Sequence, residues 1–328
     1  MKKSINCYIL GVCLVALASC QKANDEIQPE ETLLPMSIVA RIGEAEPATS
    51  RYAGTPESAT FTQGDAIGIF MYKDENDTKG DAVKWTHGTM GWGTTAEMTW
   101  PDREYNYTFK AFYPYTDEKT YSYSAIPMPS LLNQNGTIES VASRDFLIAS
   151  TTQTYGTNGN VVLTFDHKLA LVHLTIEGNY DLENATLTGI SITGGNIVAP
   201  STYSFTDNKI TIDSQAEITD VLSLKLTQAA NNNPEYYFVL NNKSTDEDNV
   251  SLTITYNVDN KDYIATYDSF SSNVFTGGAQ HDFTVSVINN QISITGATIN
   301  PWTPDDNTTD NNIIINNPQE VEDEEEDE

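Results

Sequence analysis

Residues 251–267 read SLTITYNVDNKDYIATY, and this stretch indicates the fold class. Apolar and polar residues alternate on both sides of Asp259-Asn260. In a β-strand, successive side chains point to opposite faces, so this alternation is typical of strands with one buried face. Asp and Asn tolerate the positive φ angles that tight hairpin turns require. The stretch therefore predicts a β-hairpin of two half-buried strands.

The same period-two pattern recurs along the chain, and no long segment has a sustained period of 3.6 residues. A second hairpin is predicted at Asn289-Asn290. Many short strands separated by turn residues predict an all-β fold of sandwich or barrel domains, with only short helices. The predicted strands are 36–42, 66–72, 105–112, 145–149, 161–166, 169–176, 185–192, 210–213, 221–226, 236–240, 251–258, 261–267, 281–288 and 291–299.

The length favours two domains, because about 130–150 residues is a usual domain size. A boundary is predicted in the Thr, Gly and Asn-rich stretch 151–160. The predicted organisation is a signal peptide (1–19), a linker (20–35), an N-terminal β-sandwich (36–155), a C-terminal β-sandwich (156–303) and a disordered acidic tail (304–328).

The first twenty residues are typical of a bacterial lipoprotein signal peptide. Lys2 and Lys3 precede the apolar stretch Ile9 to Ala18, and Leu17-Ala18-Ser19-Cys20 fits a cleavage box that ends at a lipid-modified cysteine. Two acyl chains on Cys20 give stable membrane anchoring. The alternative is an ordinary secretory peptide cut near Ser19.

Composition excludes several functions. Cys7, Cys13 and Cys20 all lie in the signal or at the anchor, so the mature domains have no disulfide and no thiol nucleophile. Without Lys2 and Lys3, 15 basic residues face 46 acidic ones, which gives a formal charge of −31 and argues against nucleic-acid binding. Eight of the nine residues from 320 to 328 are acidic. Such a run repels itself and predicts a solvated tail.

No motif indicates catalysis or a cofactor. The four histidines, at 87, 167, 173 and 281, lack metal-ligand spacing and are interpreted as structural. The loop Asp74 to Gly80 lacks the glycine and glutamate of an EF-hand, although a looser cation site there or at Asp246–Asp248 stays open. We predict no enzyme activity, no metal site and no cofactor.

Aromatic residues are concentrated between residues 85 and 123. Exposed rings could stack on sugars, whereas buried ones would pack a core, and core packing is the favoured interpretation. The sugar-binding alternative requires Trp85, Trp92 and Trp100 to lie exposed in a row.

The first predicted strand places Met36, Ile38, Ala40 and Ile42 on one face. The following stretch, 43–58, is rich in Gly, Pro, Ser, Thr and Ala and is predicted to be an exposed loop that contains Arg51.

Together with the lipoprotein-like N-terminus and the first strand, several segments resemble the fimbrillin family, the type V pilins of Gram-negative anaerobes. They occur in the same order along the chain as in that family. The segments are 49–51 (TSR), 61–70 (FTQGDAIGIF), 98–101 (MTWP), 111–115 (AFYPY), 145–149 (DFLIA), 163–170 (LTFDHKLA), 278–285 (GAQHDFTV) and 299–302 (INPW). The resemblance runs from residue 1 to Trp302.

The resemblance implies two β-sandwich domains of transthyretin-like topology and export as a surface lipoprotein. It also implies that a trypsin-like protease cuts after an arginine behind the first strand. A neighbouring subunit's strand then fills the vacated groove by β-augmentation. Arg51 is the preferred cleavage site because exposed loops are accessible to proteases, and Arg41, within the strand, is the second choice.

The C-terminal region argues against a stalk subunit. A stalk subunit should donate an alternating apolar strand, but Ile313-Ile314-Ile315 is the only apolar cluster after Trp302. We therefore predict an adhesive tip or accessory subunit at the outer membrane or in a fimbrium, with other fimbrial subunits and a host or bacterial surface ligand as partners. The alternative is a glycan-binding surface lipoprotein that does not polymerise.

Overall fold

Strands make up most of the described chain, as the alternating sequence predicts. The computed structural model describes residues 34–43, 60–156, 158–213, 221–242, 250–270, 275–302 and 311–312. The strands up to residue 167 are β1 (Ser37–Ile42), β2 (Ala66–Tyr72), β3 (Val83–Gly88), β4 (Gly91–Gly93), β5 (Tyr107–Tyr113), β6 (Ile126–Pro127), β7 (Leu147–Gln153) and β8 (Asn160–His167).

The remaining strands are β9 (Ala170–Ile176), β10 (Thr186–Thr193), β11 (Ser201–Ser204), β12 (Lys209–Ile212), β13 (Val221–Ala229), β14 (Glu235–Leu240), β15 (Val250–Val258), β16 (Lys261–Phe270), β17 (Ala279–Ile288), β18 (Gln291–Pro301) and β19 (Asn311–Asn312). The described helices are short: α1 (Ile138–Ala142) and two 3-10 turns, Tyr180–Leu182 and Ala230–Asn232. The predicted all-β fold class is confirmed. No helix in the described ranges is long and apolar enough to cross a membrane.

Seven strands of the first half form one sheet in the order β1-β8-β7-β5-β2-β3-β4. Only the β1–β8 pair is parallel. One face of the sheet is packed around a hydrophobic core that includes Ile67, Phe109 and Leu163. The terminal strands β1 and β4 approach each other, with Cα atoms within 8 Å, so the sheet curls around this core.

The second half is a sandwich of two four-stranded groups, β13-β10-β15-β16 and β18-β17-β9-β14. The groups are joined through a single parallel pair, Thr266 and Gln291. Ile190 and Ile254 from one group share a hydrophobic core with Leu174 and Phe283 from the other. The two faces are therefore packed on each other.

Both predicted hairpin turns are present. Asp259 and Asn260 have φ angles of 51° and 61°, and Asn289 and Asn290 have the same two values. These left-handed conformations match the twist of the flanking strands, so two residues suffice to reverse the chain.

The predicted domain boundary needs correction. Strands β7 and β8 pair antiparallel in the first sheet, so β8 belongs to the N-terminal half. The chain passes between sheets after His167. The boundary was misplaced because glycines suit tight turns as well as linkers: Gly156 and Gly159 both have positive φ.

The two halves share packing through a small third sheet with the order β12-β11-β6. Here Ile126 of the first half pairs with Tyr203 of the second. Phe70 contacts Phe205 edge-on, with ring centroids 6.2 Å apart. Residues from both halves thus contribute to one hydrophobic core.

A side chain closes the outer edge of β14. The Gln134 side chain accepts a hydrogen bond from Val239 N (2.8 Å) and donates one to Val239 O (2.8 Å), as a paired strand would. Gln134 is buried, and its amide also donates to Leu131 O. This edge is therefore satisfied without another strand.

An ionised cluster joins three neighbouring strands of the second half. His173 Nδ1 lies 2.8 Å from Asp282 Oδ1, and His173 Nε2 lies 3.5 Å from Glu235 Oε2. Burial lowers the pKa of His173, but the hydrogen bond and charge of Asp282 and the charge of Glu235 outweigh it and raise that pKa above 6.5. Burial likewise raises the pKa of Asp282, but the hydrogen bond from His173 and those from other residues lower it overall.

His173→Gln is expected to destabilise the protein in a pH-dependent way. Because the folded state raises the pKa of His173, its contribution is fully present below about pH 6.5 and is lost as pH rises through the folded pKa. The free energy of unfolding should fall by about 1–3 kcal/mol near pH 6, the range for a hydrogen bond to a charged group, and by less at pH 9. Urea unfolding at several pH values measures this, and an equal loss at every pH would contradict the assignment.

Candidate functional site

Strand β1 lies at the edge of the first sheet, and within the described residues it forms a ladder on one side only. Its ladder partner is β8, in a parallel register from Ser37–Asn160 to Ile42–Phe165. On its other side β4 approaches without a ladder. We call the groove between β8 and β4, which β1 occupies, the strand slot.

One face of β1 is packed into the first core. Ile38 is 6% exposed and Ile42 is 2% exposed, and Met36 and Ala40 are partly buried against the same cluster. The opposite face is exposed, including Val39 at 47%. Burial of each isoleucine is worth about 1.5–3 kcal/mol, so an empty strand slot would expose a hydrophobic surface.

Both ends of β1 are fastened to the sheet. At the start, Trp100 N donates to Leu34 O (3.0 Å), and Trp100 Nε1 donates to Gly159 O (2.8 Å). Gly159 has φ 67°, and a Cβ there would lie 2.4 Å from Pro35 O. At the end, Gly43 N donates to Phe165 O (2.9 Å). These contacts set the length of chain that the strand slot holds.

The two candidate cleavage arginines differ in what the structure describes. Arg41 lies inside β1, and its Nε donates to Thr164 Oγ1 (3.1 Å). Its backbone is therefore held in a sheet, where a protease has poor access. Arg51 and the lipidation candidate Cys20 lie outside the described residues.

The ammonium group of Lys79 occupies the loop Asp74 to Gly80, which the sequence left open as a cation site. Lys79 Nζ donates to Asp74 O (3.0 Å) and Glu75 O (2.6 Å), and lies 3.5 Å from the Tyr72 ring centroid. These carbonyls are thus satisfied by the protein's own positive charge. Asp246–Asp248 lies outside the described residues, and the described part of the chain contains no group of three His, Cys, Asp or Glu residues suited to a metal.

The tryptophans do not form the exposed row that the sugar-binding alternative requires. Trp85 and Trp100 are buried in the first core, and Trp92 is partly buried with its ring 5.1 Å from Phe61. Their role is core packing, since the curled sheet encloses them.

The histidines that are close in sequence occupy separate structural environments. His167 Nδ1 lies 3.0 Å from Asp145 Oδ1, and its ring stacks on Trp302 at 4.1 Å. His173 belongs to the ionised cluster with Asp282. Among the described contacts, neither histidine lies within hydrogen-bond distance of a nucleophile.

Comparison with known proteins identifies the family. The profile of the fimbrillin-like family matches residues 52–302, most of the chain. The chain therefore belongs to the fimbrillin-like family.

A sequence relative is a Bacteroides ovatus protein named as a fimbrium tip subunit, Fim1C. The two are 27% identical over 181 residues, which is 50% of this chain and 33% of the relative. The match thus spans about a third of the relative's length.

Two solved structures resemble the fold. One, described as a cell adhesion protein from Bacteroides ovatus, has a TM-score of 0.60 at 19% identity and covers 83% of this chain and 99% of its own. The other, described likewise and from Bacteroides uniformis, has a TM-score of 0.57 at 19% identity, with 82% and 99% covered. At this identity they bear on the fold alone.

Sequence reasoning missed the residues that fasten β1. The positive φ of Gly159 and the indole of Trp100 act together, although they are 59 residues apart. Trp100 and Gly159 stand out in the sequence as an aromatic residue and a turn residue. Their spacing, however, gave no indication of a contact with Pro35.

Ile38→Ala is expected to lower the free energy of unfolding by about 2–5 kcal/mol, because it removes a buried side chain and leaves a cavity in the strand slot. Val39→Ala, one residue away on the exposed face, is the matched control and should change stability by about 0.5 kcal/mol or less. Urea unfolding of both variants measures the difference. Equal effects would mean that β1 does not present this face to the core.

Proposed function

We propose that this protein is a fimbrial subunit that assembles by proteolytic removal of β1 and donation of a strand from a neighbouring subunit. The observation that carries this proposal is that β1 is bonded along one edge only. Its removal breaks a single ladder and leaves the rest of the sheet paired. The empty strand slot would then offer the unpaired edge of β8 and apolar pockets at alternate positions, the two features that β-augmentation uses.

Cleavage after Arg51 is the proposed trigger. The family match begins at residue 52, so β1 lies outside the region that the profile covers. Cys20 is the proposed lipid anchor, which holds the unprocessed protein at the outer membrane on the cell surface. Cleavage would separate Cys20 and β1 from the remaining domains, so the lipid would deliver the subunit to the outer membrane without holding it there permanently.

A tip or accessory position with a role in adhesion is proposed over a stalk position. The relative from Bacteroides ovatus is named as a tip subunit, and the Ile313–Ile315 cluster makes a poor donor strand. The competing function, a glycan-binding lipoprotein that does not polymerise, loses support because the tryptophans are packed inside the first half.

Trypsin treatment of membranes that carry the full-length protein tests both Arg51 and Cys20. Trypsin should cut the Arg51–Tyr52 bond first, because loop backbone is cut before paired strands. Since β1 stays bonded to β8 after the cut, an excess of the peptide 34–43 is then added to displace it, and the folded part should move into the supernatant. Arg51→Gln should stay in the membrane fraction, whereas Arg41→Gln should be released like the wild type. Cys20→Ala should leave the membrane without trypsin. Retention of the cleaved wild type, or an intact Arg51–Tyr52 bond, would overturn this part of the proposal.

The processed protein is expected to accept a donor strand but to form no long polymer alone. A synthetic peptide with the sequence 34–43 should bind the cleaved protein and raise its melting temperature, since it refills the strand slot. A peptide in which Ile38 and Ile42 are replaced by Asp is the control. A long SDS-resistant ladder of the processed protein alone would contradict the tip assignment, and failure of the wild-type peptide to bind would contradict strand exchange.

A further inference from the structure

A cavity lies at the far end of the second sandwich from the strand slot. Strand β9 starts at Ala170, directly after the first sheet, and runs away from it to Ile176. The register of the sandwich brings this end of β9 level with the two Asx-rich hairpin turns. The cavity, of about 420 Å³, is lined by the Asn289-Asn290 turn, by the chain segment that connects β9 to β10, and by residues of β15 and β16.

The floor of the cavity is a pair of tyrosines from adjacent strands. Tyr256 and Tyr263 lie opposite each other in the β15–β16 register, with ring centroids 5.4 Å apart and planes inclined by 18°. Tyr256 is 1% exposed, whereas Tyr263 is only partly buried. The buried ring therefore holds the accessible one in a fixed orientation, which presents an aromatic surface to the cavity.

Hydrogen bonds fix the polar side of the cavity before any ligand enters. The Tyr256 hydroxyl donates to Asn290 Oδ1 (2.7 Å), and Asn290 N donates to Asp181 Oδ2 (3.0 Å). Each of the three residues comes from a different segment of the sandwich. Their mutual bonds join the turn, the strand and the 3-10 helix into one preformed wall, and preformed sites bind with a smaller ordering cost.

Apart from the partly buried Val258, the remaining lining residues are polar and exposed. Glu183, Asn184 and Asn289 line the opening, and in the described part of the chain no hydrogen bond is recorded for their side chains. Amides both donate and accept, and carboxylates accept, so these groups suit a ligand with many hydroxyls. An aromatic face beside planar amides and carboxylates matches a sugar ring, which has an apolar face and a hydroxyl rim.

The charges of the lining residues limit which class of sugar the cavity would bind. Two carboxylates, of Asp181 and Glu183, line the cavity, and no lysine or arginine does. Like charges repel, so a sugar that carries a carboxylate or sulfate should bind more weakly than a neutral sugar. A metal ion is not favoured, because no group of three potential ligands is present among the described residues.

We propose that this cavity binds a neutral or amino sugar residue of a surface glycan, stacked on Tyr263 and hydrogen-bonded to Glu183, Asn184 and Asn289. The inference deepens the proposed adhesive function and rests on it. It locates recognition in the half of the molecule that does not hold the strand slot. Strand exchange and ligand binding would therefore involve different residues.

Binding is tested with the full mature protein and the probes lactose, N-acetylglucosamine and glucosamine, with sialyllactose as the acidic counterpart. Saturation-transfer NMR and calorimetry should detect at least one of the uncharged or amino sugars at concentrations up to about 10 mM, the range of weak single-sugar binding. Sialyllactose should bind no more tightly than lactose.

Variants assign the binding to the cavity. Tyr263→Ala should weaken binding about tenfold, which corresponds to the loss of one stacking contact. The exposed Tyr105→Ala in the first half is the matched control and should bind as the wild type does. Glu183→Gln and Asn184→Ala change exposed side chains and keep the test valid if Tyr263→Ala does not fold. Glu183→Gln should weaken glucosamine binding more than lactose binding.

Three results would overturn the proposal: no binding of any uncharged or amino sugar, binding that all three cavity variants leave unchanged, or tighter binding of sialyllactose than of lactose. Peptide binding to the strand slot of the same preparation separates the two proposals. Strand acceptance without sugar binding defeats the sugar site alone, and sugar binding without strand acceptance defeats strand exchange alone.

Discussion

Single-sided pairing of β1 is the constraint on which the functional organisation of this protein depends. An edge strand is held by one ladder and by its buried side chains, and for β1 these side chains are chiefly Ile38 and Ile42. The same isoleucines that stabilise the first half make an empty strand slot unfavourable in water. The same apolar contacts would therefore hold β1 in place and favour a donor strand after β1 is removed.

The two proposed binding regions lie in different halves of the molecule, and the halves share packing. The strand slot lies in the first half, and the cavity beside Tyr263 lies at the far end of the second. Between them, β6 pairs with β11, and Phe70 is packed against Phe205. Because tightly packed interiors deform little, a change at the strand slot is not expected to reshape the cavity. The orientation of the cavity relative to the strand slot is set by this central packing.

Strands with a strong apolar alternation were predictable from sequence, and so were the turns that Asp and Asn build. β3, β4, β6, β11 and β19 were missed. β4 consists of Gly91-Trp92-Gly93, and β6 has only two residues, so neither carries a local pattern and each forms only because a partner strand lies beside it. The predicted domain boundary ended the first sheet before β8, because the glycine-rich stretch 151–160 has the composition of a linker.

The candidate site, like the fold, was only partly predictable from sequence. The alternating face of β1 was predictable, whereas the contacts of Trp100 and Gly159 that fasten it depend on tertiary structure. The cavity lining comes from three separate segments, 181–184, 256–263 and 289–290, so no spacing in the sequence indicated it. Cys20 and Arg51 come from linear signals and lie outside the described residues.

Gln134 satisfies Val239 on the β14 edge with its side chain, next to a backbone hydrogen bond from Tyr237 N to Gly136 O and to the helix α1. A sheet edge that is left open is a template for unplanned pairing between copies. In a protein proposed to associate through strands, every additional open edge would compete with the intended one. Replacement of Gln134 would therefore leave the N and O of Val239 open to pairing with another copy, at an edge other than the strand slot.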